Sequence, residues 1–159
     1  MRFVRRPMQA GANPPLVFEI TRQEKAVLLA TLRLFPVLKP SDHQLTKTAK
    51  TAGAAEQRLL EESMVQQRSE HKKKLERFFR ANEPFFKTEQ GALHLTLTGA
   101  QLEWLLQVLN DIRVGSWVQL GCPELEPARR LELAREYPVP FTAMETSGYF
   151  QSALLEAVK

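Results

Sequence analysis

With one cysteine in 159 residues, the chain has no intramolecular disulfide to draw on. Cys122 alone suits a reducing compartment and supplies no covalent stability. Histidine is scarce too. His43, His71 and His94 stand at least 23 positions apart, without the i,i+4 pairing of a helical metal site. No metal site and no cofactor are expected from them. Glycine numbers 7, and no G-x-x-x-x-G-K-S/T, G-x-G-x-x-G or G-x-S-x-G pattern occurs, so phosphate-cradling loops and nucleophile elbows have no linear signature here. Ser116 and Cys122 have no identifiable base nearby, although a triad can assemble in space. Long apolar runs are missing as well. The most apolar stretch, residues 26–32, is far too short to span a bilayer. The opening MRFVRRPM carries charge with no apolar run behind it, unlike a secretory signal. No membrane association and a cytoplasmic location are therefore expected.

What is present is an ordinary globular composition, 43% hydrophobic and 25% charged. Residues 1–159 fit a single domain with a core of its own. The chain is organised around residues 91–121. Leu93, Leu95 and Leu97 alternate with His94 and Thr96, the period of a strand with one buried face. Thr98 and Gln101 are spaced as a capping box, and Leu97 and Leu102 as a hydrophobic staple. Leu102, Leu105, Leu106, Leu109 and Ile112 then follow helical spacing, with Trp104, Val108 and Val118 widening the stripe. Leu95, Leu97, Leu102, Leu105, Leu106 and Leu109 are expected in the core. Gly121 and Pro123 stop the helix.

The same design stands earlier. LVFEIT at residues 16–21 aligns without a gap on LHLTLT at residues 93–98, and Thr21 with Glu24 repeats the capping box. Two strands side by side, each feeding a core helix, are expected, whether by duplication or by convergence on one pattern. An edge strand is expected at residues 3–6, a loop at 7–15 and a helix at 22–35 ended by Pro36 and Pro40. Residues 39–53 read as a flexible loop. Residues 54–79 read as helix, with no strong hydrophobe from 66 to 74, so that its middle is either exposed or a break between two helices. Residues 82–90 form a connector anchored by Phe85 and Phe86. A short helix follows Glu124 and Glu126 and ends at Pro138 and Pro140. Thr142 and Glu145 suggest a third capping box, opening a final helix to about Val158 with Met144, Phe150, Leu154 and Val158 inward and Tyr149 alongside. The sum is an α+β domain, predominantly helical, with a small three-stranded sheet packed against a central apolar helix and four or five helices in all.

Charge is uneven. Residues 1–80 hold sixteen Lys and Arg against eight Asp and Glu, and residues 81–159 hold six against ten. The surplus concentrates around His71, where Arg68, Lys72, Lys73, Lys74, Arg77 and Arg80 are candidates for contacting phosphates. Glu70 and Glu76 interrupt the tract, which equally describes a solvated helix face. The other unusual cluster is Asn110-Asp111-Ile112-Arg113, polar residues inside the most apolar helix. Asn110, Arg113 and Trp117 share one face of it by i,i+3 and i,i+7 spacing. The guanidinium of Arg113 is suited either to tie this helix to a neighbour, through backbone carbonyls or an acidic side chain, or to hold a partner's carboxylate. The tie is the expected role.

Trp104-Leu105, Leu109-Asn110-Asp111-Ile112-Arg113 and Leu120-Gly121 together resemble the W-L, L-N-D-L-R and L-G helix of a bacterial family called domain of unknown function 2017. Arg2-Phe3, the strand and helix of residues 16–32, and Tyr149, Gln151 and Leu154 also fit that pattern; residues 36–90 carry none of it, and Trp117-Val118 departs from it. The resemblance implies a small cytoplasmic bacterial protein of no established activity. Some relatives are encoded beside an adaptor of the Clp protease system and some are labelled transcriptional regulators. The expected function is a non-enzymatic interaction or regulatory protein whose partner is another protein, and the resemblance alone implies a link to Clp-type proteolysis. The alternative is a nucleic-acid-associated transcriptional regulator using the basic helix of residues 68–80.

Overall fold

The computed structural model describes residues 1–4, 14–38, 54–81, 84–124 and 126–158. Strand β4 (Leu93–Leu97) leads through Thr98 into the longest buried helix, α3 (Gly99–Gln119). The Thr98 hydroxyl accepts from the Gln101 amide at 3.1 Å, and the Gln101 side chain accepts from the Thr98 amide at 2.8 Å. That reciprocal pair satisfies two helix-start donors and sets the chain direction. Strand β2 (Leu16–Glu19) leads in the same way through Thr21 into α1 (Arg22–Leu32), with the Thr21–Glu24 box complete.

The two units lie side by side, as their sequence likeness leads one to expect. β2 and β4 are antiparallel neighbours with Phe18 opposite Leu95, the residue that aligns with it in sequence. The pairs on either side, Val17 with Thr96 and Glu19 with His94, are then equivalent. The two strands are thus related by a local two-fold axis at the Phe18–Leu95 pair. Phe18, Leu95 and Leu97 are fully buried against α3, while His94 points to the opposite face and stacks edge-on to Phe86.

The sheet has four strands, in the order β1-β2-β4-β3, one more than the sequence predicts. β1 (Arg2–Val4) is an edge strand, as expected, paired antiparallel with β2. The extra strand is β3 (Phe85–Lys87), inside the expected connector. Three residues cannot display a period of two, and the far edge of β4 decides the pairing. Phe85 does anchor to the core, against Phe78, but Phe86 lies on the outer face, because successive side chains alternate.

α2 (Ala54–Ala81) is one unbroken helix of 28 residues, so its polar middle is not a break; most of it is exposed, with Arg68 and His71 turned inward. It meets the core through His71, Leu75 and Phe78. α4 (Pro127–Glu136) and α5 (Pro138–Leu155) are separated by Tyr137 alone. Pro138 and Pro140 end α4 but also open α5, because the amides of a first turn have no intrahelical acceptor for proline to remove. Thr142 and Glu145 are therefore inside α5, and the third capping box does not form. Met144, Phe150 and Leu154 point inward, whereas Val158, in the short 3-10 turn Glu156–Val158, is exposed. Val118 is also exposed, at the frayed side of the α3 stripe. The expected loop at 39–53, and Arg5 and Arg6 of the first strand, lie outside the described residues. Among the described residues no helix is long and apolar enough to cross a membrane.

Gly115 sits where α3 meets the segment that follows α1. A Cβ there would stand 2.6 Å from Val37 Cγ1 and 2.8 Å from the Leu38 amide nitrogen. Backbone cannot give way as a flexible side chain can. Gly115→Ala is expected to lower stability by about 1–3 kcal/mol, despite the better helix propensity of alanine, and urea denaturation reads the difference directly.

Candidate functional site

The polar interruption of α3 divides between two of its faces. Asp111 points toward the segment after α1 and toward α2. Its Oδ1 accepts from the Val37 amide at 2.8 Å and the Leu38 amide at 3.2 Å. Its Oδ2 accepts from Arg68 Nη2 at 3.3 Å, both side chains being 12% exposed. One carboxylate thus joins three pieces of the chain. Gln67 adds a bond to Gln107 at 3.1 Å, and buried His71 lies against the Phe35 ring. Gly115, one helical turn beyond Asp111, leaves the space this segment occupies.

Burial holds the His71 imidazole below its ordinary value, and Lys74 adds to that; Glu70 and Asp111 oppose it with smaller effect. The folded pKa lies below the unfolded value of 6.5, so between the two the unfolded chain binds the extra proton. The contribution to stability is full above pH 6.5 and is lost as pH falls through that window. His71→Phe is expected to flatten the dependence, which paired urea titrations at about pH 7.5 and about pH 5 detect.

The opposite side of the polar turn faces α5. Asn110, Arg113, Val114 and Trp117 of α3 form one wall of an open groove of about 740 Å³. Met144, Glu145, Gly148, Tyr149 and Ser152 of α5 form the other, and Arg130 of α4 reaches in. Gly148 faces Arg113 across the groove: a Cβ there would lie 3.7 Å from Arg113 Nε, an ordinary contact. Arg113 is exposed and donates to the neutral Gln151 Oε1 at 3.4 Å. No carboxylate pairs with it among the described residues. Asp111 makes the carboxylate tie between α3, α2 and the segment after α1; Arg113 makes one long bond to α5, and most of its five guanidinium donors have no protein acceptor among the described residues.

The groove walls are held from behind. Trp117 Nε1 donates to the Pro123 carbonyl at 3.2 Å, which leaves the indole 38% exposed. The Tyr149 hydroxyl bonds to Glu24 of α1, and that bond, then burial and the Glu24 charge, push it up to about 12. Burial pushes the Glu24 carboxyl up, but bonds from the Met1 ammonium, Tyr149 and Thr21 outweigh it and hold the group at about 2. At neutral pH the Tyr149 ring is a fixed, uncharged wall. Arg130 is paired with Glu145. The groove offers a cation, two aromatic faces, apolar flanks and the Ser152 hydroxyl.

The remaining basic residues lie along α2 among acidic ones. Arg68 is committed to Asp111. Lys72, Lys73 and Lys74 are exposed, but consecutive helical positions turn by about 100° each. Lys74 and Arg77 flank the start of α3, beside Ala100 and Gln101. Lys73 lies with Glu62 and Glu70 on another side of α2, and Arg80 is exposed at its C-terminal turn. By that turn Lys73, Arg77 and Arg80 share one face at i,i+4 and i,i+7, and Glu70 and Glu76 stand on the same side, which makes the face one of mixed charge. His43 lies outside the described residues, and no group of three or more metal-ligating side chains occurs among those described.

Sequence reasoning found Asn110, Arg113 and Trp117 as one face. It missed Gly148 and Arg130, which carry no signal until α4 and α5 are packed. Fold and groove together define a predominantly helical α+β protein with an open cationic and aromatic groove. No family model, curated protein or solved structure matches the chain.

Proposed function

We propose that the chain is a non-enzymatic interaction protein, and that the groove between α3 and α5 is where it engages another protein. The observation that carries this reading is Arg113: an exposed guanidinium with no carboxylate partner, set between exposed Trp117 and Tyr149. Aromatic and arginine side chains are the ones that dominate binding at protein interfaces. A regulatory role linked to Clp-type proteolysis in bacterial cytoplasm belongs to the same proposal. Its support is the resemblance of Leu109–Arg113 to the helix of domain of unknown function 2017; in this chain Asp111 makes the tie and Arg113 lines the groove.

Crosslinking capture from cells tests the reading with wild type, Arg113→Met and Trp117→Ala. The expected result is a partner captured by wild type and lost from both variants, with thermal melts unchanged. Capture that survives both substitutions would place the interaction elsewhere. Salt-dependent DNA binding, lost when Lys73, Arg77 and Arg80 are neutralised, would favour the transcriptional reading instead.

A further inference from the structure

We infer that the groove accepts the C-terminal end of another polypeptide, its α-carboxylate held by Arg113 and its last side chain laid against Trp117 and Val114. This rests on the groove being the binding surface and adds what the surface recognises. The first argument is charge. Of the three charged side chains in the groove, Arg130 and Glu145 are paired with each other, which leaves Arg113 as the unmatched cation. One planar guanidinium matches one carboxylate through two parallel hydrogen bonds. A phosphate brings close to two negative charges and needs more than one cation to compensate it.

The second argument is the direction of the groove. Met144 packs with Leu120 and Leu133 near the end of α3, whereas Gln151 reaches the Leu106 carbonyl nearer its middle. The two helices are therefore antiparallel, and the groove runs from Asn110 and Ser152 toward Trp117 and Glu145. At the Trp117 end the Arg130–Glu145 pair bridges α4 and α5. A peptide continuing past Arg113 in that direction meets the bridge, while a peptide that ends at Arg113 stops short of it. Trp117 and Val114 supply apolar surface at that end. Asn110 and Ser152 supply an amide and a hydroxyl on the side where the preceding backbone lies. Gly148 leaves the guanidinium uncovered by any side chain at that position.

The test is fluorescence anisotropy with fluorescein-labelled pentapeptide pools ending in leucine, one with a free C-terminal acid and one with a C-terminal amide. A third, amidated pool carries an internal glutamate. The expected result is that the free acid binds about tenfold or more tightly than the amide. Arg113→Met should erase that preference with no change in melting temperature. Gln151→Glu should erase it too, by giving the guanidinium a carboxylate of its own. Equal binding of acid and amide would overturn the inference; if Trp117→Ala weakened both, the groove reading would survive it. Tighter binding of the internal-glutamate pool would overturn it in favour of an acidic internal segment. No binding of any pool would also overturn it, while Arg113-dependent capture of an intact protein would still support the groove as the interface.

Discussion

Replacing Leu105 with alanine is expected to lower the unfolding free energy by about 2–5 kcal/mol. Leu105 is fully buried in the cluster that holds Phe18, Leu28, Leu95 and Leu109. Truncation removes the transfer energy of its lost carbons and leaves a cavity between the sheet and the helices, and neighbours fixed by two strand–cap–helix units have little freedom to fill it. Leu106 is only partly buried and packs at the edge of the same cluster, so Leu106→Ala should cost clearly less. Urea denaturation that ranks the two in the opposite order would take α3 out of the centre of the fold.

Asp111→Ala is expected to cost about 2–4 kcal/mol. The substitution strands the Val37 and Leu38 amides and leaves Arg68, only 12% exposed, without its counter-charge. A buried donor left unpaired costs about 1–3 kcal/mol, and breaking a buried ion pair from one side costs about 3–5 kcal/mol. Residual water access at the pair keeps the sum below those limits. Asp111→Asn retains an acceptor for the two amides and loses only the charge, so roughly half the effect should remain. A double-mutant cycle with Arg68→Met should show coupling of about 0.5 kcal/mol or more. Additive changes would mean that the ion pair contributes nothing and that the two amides carry the tie.

The strand, cap and helix of residues 93–119 are legible because each signal there is local and they agree: alternation, capping box, then helical spacing. β3 was not legible, since its three residues find their partner only when β4 presents an edge. The start of α5 was misplaced because proline was read as a stop, although the first turn tolerates it as well as any position in a helix. His71 looked like part of a basic tract, yet Leu75 and Phe78 stand four and seven residues beyond it, which puts it on the apolar stripe. For the Asn110–Arg113 cluster the sequence showed the shared face but not which residue makes the tie. That depends on where residues 36–38 come to rest. Gly115 was the available signal, a glycine inside a strong helix pattern marking a close approach.

The division of one helical turn, with Asp111 holding the fold and Arg113 left to a partner, is tested most directly by equilibrium urea denaturation of Arg113→Met. The methionine keeps the apolar stem against Gly148 and gives up the long bond to Gln151. Stability within about 0.5 kcal/mol of wild type is the predicted result, as for other exposed positions. A loss of about 1–3 kcal/mol would show the guanidinium spent on binding α3 to α5, and would contradict the assignment of Arg113 to the groove.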